Sequence, residues 1–133
     1  MNLKKIVCSL ELSKSLFEAG FECESVFVWE KFNDIEKAHV IPKSLMNIDL
    51  IDEHEFIIDT YTATELLEWL PKELRPKVFL DLHFCAVDKQ WKACYENQAE
   101  YNRIGIPLLH SELADTPQEA LAKLVLWVLK EGK

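Results

Sequence analysis

The residues best suited to chemistry lie between 81 and 96, where side chains able to bind a metal ion or act as nucleophiles recur at alternate positions. Val78, Leu80, Leu82, Phe84 and Ala86 alternate with Asp81, His83 and Cys85, the period of a strand with one apolar and one polar face. Trp91, Ala93 and Tyr95 continue the apolar face on a second strand, which leaves Lys92, Cys94 and Glu96 on the polar side. With Asp88-Lys89 as a two-residue turn, Val87 pairs with Gln90, Cys85 with Lys92 and His83 with Cys94. Side chains directly opposed in this way have Cβ atoms roughly 5 Å apart, close enough to share an ion. One imidazole and two thiolates, with Asp81 or Glu96 as the fourth ligand, make a zinc set. His83, Cys85, Cys94 and Asp81 are therefore the candidate metal ligands.

The same face offers a Cys94–His83–Asp81 nucleophile arrangement. A reactive thiol needs a lowered pKa, an oriented base and oxyanion donors. A hairpin face provides no helix N-terminus beside Cys94 and no pocket that excludes water, so this reading ranks below the metal one. A simpler reading ranks above both: one face of an antiparallel sheet is wetted and carries polar side chains. Cysteines spaced by strand alternation are also far less diagnostic than paired CxxC knuckles. No catalytic residue and no cofactor are assigned, and the chain leans away from being an enzyme.

Other motifs are weaker. Gly20, Gly105 and Gly132 are the only glycines and stand too far apart for a phosphate cradle. His54-Glu55 opens like a zincin helix, but Ile58 occupies the place of the second histidine. Asp49, Asp52, Glu53 and Glu55 lack the spacing and the glycine of a calcium loop. Trp29, Trp69, Trp91 and Trp127 fall on predicted helices and strands, where tryptophan serves a core more often than a stacked ligand.

The elements that would position these residues follow from local signals. Ser9 caps a helix over 10–19 with Leu12, Leu16 and Ala19 on one face, and Gly20 ends it. Ser25–Lys31 reads as a strand, a short strand is expected near 38–41, and Glu55–Asp59 as another. Thr62-Ala63-Thr64-Glu65 and Thr116-Pro117-Gln118-Glu119 are both capping boxes, in which threonine accepts the third amide and glutamate accepts the cap amide. The first starts a helix at Ala63 that Pro71 ends, with Tyr61 and Leu66 spaced as a hydrophobic staple. Residues 98–115 read as irregular, punctuated by Gly105 and Pro107. The second box starts a helix from Pro117 to about Lys130, with Leu121, Leu124, Val125 and Val128 as its core stripe. Leu126, Trp127 and Leu129 fall on its other faces, so this helix is either sandwiched or offers those three to a partner; burial is favoured. The order α-β-(β)-β-α-β-β-α predicts an α+β single domain over 1–133, a mostly antiparallel sheet of about four strands with three helices.

Composition excludes several classes. Hydrophobic residues make up 49% of 133, which rules out disorder. A net charge of -8 opposes attraction to nucleic acid or an anionic membrane. No apolar run approaches the ~20 residues of a membrane span, and the opening apolar stretch is too short for a signal peptide. Four dispersed cysteines predict free thiols in a reducing, cytoplasmic setting.

Three stretches, Cys8–Glu30 (CSLELSKSLFEAGFECESVFVWE), Tyr61–Pro71 (YTATELLEWLP) and Ala114–Lys133 (ADTPQEALAKLVLWVLKEGK), resemble an uncharacterised family of small phage and prophage proteins. The resemblance covers helix caps and apolar stripes and leaves out the His83, Cys85 and Cys94 face. Thr60-Tyr61 departs from the alanine-proline common there in the family. It implies lineage and a bacterial mobile-element origin, and it assigns no functional residue. The function expected is that of an acidic accessory protein acting by protein–protein contact, with an unidentified protein partner or by self-association. The alternatives are a metal- or thiol-dependent site on the 78–97 hairpin and an inhibitor that imitates nucleic acid.

Overall fold

A computed structural model of the protein describes residues 2–97 and 108–131. The architecture is α+β, with three α-helices and two antiparallel sheets among the described residues. After a 3-10 turn at Leu3–Lys5, helix α1 spans Leu10–Glu18. Strands β1 (Phe27–Phe32), β2 (His39–Pro42) and β3 (His54–Thr60) form a sheet of order β2-β1-β3. Helix α2 (Ala63–Trp69) leads into β4 (Glu73–Arg75), β5 (Val78–Cys85), β6 (Gln90–Asn97) and β7 (Leu108–Ala114), a second sheet in that order, and α3 (Pro117–Glu131) closes the chain.

The strands are thus divided between two sheets instead of joined in one of about four, and β4 and β7 add to the expected set. Arg75 pairs with Val78 around Pro76-Lys77, where proline fixes the first turn residue and Lys77 takes a φ of 70°. Of the segment expected to be irregular, 98–107 lies outside the described residues, while Leu108–Ala114 is a strand. The alternation of β7 was hidden because its helix-facing positions carry His110 and Glu112. Trp127 stacks on the first of these, its ring parallel to His110 at 4.4 Å, and His110 in turn bonds Glu112.

The local signals produce their elements. Ser9 Oγ accepts the Leu12 amide at 3.2 Å and starts α1. At its other end the amides of Gly20 and Phe21 donate to Phe17 and Leu16 carbonyls, a Schellman ending with Gly20 at φ 81°. Thr62 and Glu65 form the reciprocal box. The Thr116 box is shared out differently: Thr116 Oγ1 accepts the Glu119 amide, but the Glu119 carboxylate accepts the backbone amide of Ser9. One carboxylate thereby binds the start of α3 to the start of α1.

The main core lies between α3, β6, β7 and the first two helices, with Leu16, Leu66, Leu121, Leu124 and Tyr95 fully buried. Each buried leucine contributes about 1.5–3 kcal/mol. A smaller cluster of Val7, Trp29 and Val40 lies under the opening turn on one face of the three-stranded sheet. Because β2 and β3 flank β1 on opposite sides, the connection 43–53 must cross that sheet. The N-terminal segment holds the Trp29 face, and this strap is tied to the Glu30 face, where the Leu50 carbonyl meets the ring of His54 and His54 pairs with Glu30.

Candidate functional site

The hairpin of β5 and β6 carries the expected polar face in a different register. Cys85 pairs with Gln90, His83 with Lys92 and Asp81 with Cys94, so the loop has four residues, Ala86–Lys89. A two-residue hairpin turn of the favoured twist needs glycine or asparagine in left-handed backbone; Asp88-Lys89 lacks glycine. The longer loop puts only Lys89 there, at φ 55°. The slip is by two residues, so every side chain keeps its face and exchanges its partner.

The exchange redraws the candidate site. Asp81, Cys94 and Glu96 have ligand atoms all within 4.8 Å of one another, and no other set of three metal-binding groups does so among the described residues. His83 is placed beside this group, donating from Nδ1 to Asp81 Oδ2. Cys85 is at the hairpin tip, its thiol donating to Asp88 Oδ2 at 3.2 Å, apart from the three. Cys94 is buried and its thiol lies 3.8 Å from Glu96 Oε1. Burial, then the charges of Glu96 and Asp81, push this thiol up to about 12, so it is protonated at neutral pH and is no activated nucleophile.

A second polar cluster, which the sequence analysis did not single out, lies beneath the strap. Glu30, almost fully buried, receives His39 Nε2 on one carboxylate oxygen at 2.7 Å and His54 Nε2 on the other at 2.8 Å. His54 Nδ1 faces the Leu50 carbonyl at 3.0 Å. Both ring nitrogens of His54 thus lie at hydrogen-bonding distance from an oxygen, one on the strap and one on the sheet. Phe32 stacks on the His54 ring at 4.2 Å. This group fastens strap to sheet. Alternation of Val28, Glu30 and Phe32 was visible in the sequence, but only the pairing of β1 between two strands puts Glu30 inside.

The third candidate set, Leu126, Trp127 and Leu129, is half-buried and packs against the main core. Trp127 lies on His110 and tilts against Tyr95. Large apolar side chains are exposed at several places: Val87 at the hairpin tip and Phe17 on α1, Leu45 (72%) and Ile51 (50%) together on the strap, and Ile35 (49%) in the β1–β2 turn. The Asn33 amide bonds to the Glu53 carbonyl, which brings that turn beside the end of the strap.

All four cysteines are free thiols. No helix of the described residues is long and apolar enough to cross a membrane. Comparison with models of protein families, with curated proteins and with solved structures finds no match for this chain.

Proposed function

We propose that this protein is a binding module that acts by contact with another protein, using the outer surface of the 43–53 strap. The observation that carries the reading is the two-sidedness of that segment. Its inner side is fixed to the sheet through Leu50, His54 and Glu30, while Leu45 and Ile51 are held out to solvent on a short, doubly anchored stretch. Apolar side chains fixed in this way lose little conformational entropy on docking. The half-buried Leu126, Trp127 and Leu129 are a lesser candidate, because their apolar area already serves the core.

The resemblance of three stretches to small phage and prophage proteins gives the setting of this proposal: a mobile-element accessory protein in the bacterial cytoplasm, without nucleic acid as its ligand. A photo-crosslinking amino acid at Leu45 tests the surface directly in bacterial cells. The expected result is one discrete adduct that is absent when the crosslinker stands at exposed Glu18 on α1. Equal, diffuse labelling from both positions would refute the surface.

A further inference from the structure

We propose that Asp81, Cys94 and Glu96 bind a thiophilic divalent cation of the zinc class, with the thiolate and two carboxylates as ligands and solvent in the fourth position. The inference stands apart from the contact surface proposed above, since it rests on the other sheet. Around a tetrahedral zinc ion, sulfur and oxygen ligands are roughly 3.5 Å apart. Cys94 Sγ and Glu96 Oε1 are already 3.8 Å apart, and Asp81 completes a set within 4.8 Å, so small side-chain rotations close the triangle. The three come from paired positions on two adjacent strands, Asp81 directly opposite Cys94 and Glu96 two residues along the same face. Strands hold ligands more rigidly than loops do.

The electrostatics point the same way. Two carboxylates face a buried sulfur, and among the described residues neither forms an ion pair with lysine or arginine. The groups around the thiol are Asp81 and His83 from β5, Lys92 and Glu96 from β6, and the uncharged Ser111 opposite it on β7. A divalent cation removes the repulsion: zinc bonds to the sulfur, the S–H bond breaks, and its proton leaves to solvent. His83 is a positioning residue, since its Nδ1–H holds Asp81 Oδ2 and fixes the carboxylate. The sulfur selects against magnesium and calcium, which take oxygen ligands.

Titration with Co²⁺ under reducing conditions reads the site through its thiolate-to-cobalt charge-transfer absorption, followed by displacement with Zn²⁺. The expected result is one ion per chain, and an apparent affinity rising about tenfold per pH unit from 7 to 8.5, because one thiol proton is released per ion. Cys94→Ser should abolish the band, Glu96→Gln and Asp81→Asn should weaken binding at least tenfold, and Cys85→Ala should change nothing. Should Cys94→Ser fail to fold by circular dichroism, the near-isosteric Glu96→Gln decides. No band in the natural chain, a band indifferent to Glu96→Gln, or a band lost in Cys85→Ala would overturn the proposal.

Discussion

Cys8 sits between the three-stranded sheet and the start of α3. Its thiol donates to the Tyr61 carbonyl at 3.4 Å, and its own carbonyl accepts from the Trp29 indole at 3.0 Å and the Thr60 hydroxyl at 3.2 Å. Burial first, and Glu119 second, push this thiol up to about 12, against 9.0 for an unperturbed cysteine. Between those values the unfolded chain holds fewer protons than the folded one, so stability falls as pH rises. The contribution is fully present below pH 9.0 and fades toward 12, at up to about 1.4 kcal/mol per pH unit for one thiol. Urea denaturation between pH 8 and 11 should therefore show a shallower decline for Cys8→Ala than for the natural chain; parallel declines would contradict the assignment. Glu30 is a second buried polar side chain, held by two histidines. Glu30→Ala removes the partner of His39 and of His54 Nε2 and should cost about 1–3 kcal/mol in the same assay. A loss under 1 kcal/mol would mean that the pair is dispensable.

At the scale of elements, the parts legible in the sequence are those decided within a few residues. Ser9, Gly20, Thr62 and Pro71 bound their helices as expected because a cap answers to its own amides and carbonyls. Gly20 is in left-handed backbone with open space around it, so Gly20→Ala should cost about 1 kcal/mol from conformation alone. An unchanged melting curve would show that the turn relaxes. The hairpin register was not legible, because it hangs on how a loop without glycine turns, and its two-residue slip moved Cys94 from His83 to Asp81. Of the four residues singled out in the sequence, Asp81 and Cys94 converge, together with Glu96, while His83 stands beside Asp81 and Cys85 lies apart at the hairpin tip. The strap belongs to this scale too. Hydrogen exchange of amides 48–54 should quicken in Glu30→Ala while the amides of α3 are unaffected; uniform quickening would mean that strap and core open as one unit.

For the whole molecule, α3 is the shared wall. It is apolar nearly all round because β6 and β7 take one side and α1 and α2 the other. The sequence pattern showed that such a helix is either sandwiched or partnered, and packing accounts for it without a partner. The division into two sheets was hidden because β3 and β4 are separated only by α2 and the break at Pro71. Gln118, buried on α3, reaches the Lys5 carbonyl at 2.6 Å and so joins the last helix to the opening turn. Together these ties join the three-stranded sheet and its strap to the larger core. The most direct test is tagged capture from bacterial cells with the natural chain and Leu45→Glu/Ile51→Glu in parallel, quantified by mass spectrometry. The account predicts one stoichiometric companion protein, lost at least tenfold in the double variant while its melting temperature holds. Recovery of that companion undiminished by the double variant would contradict it.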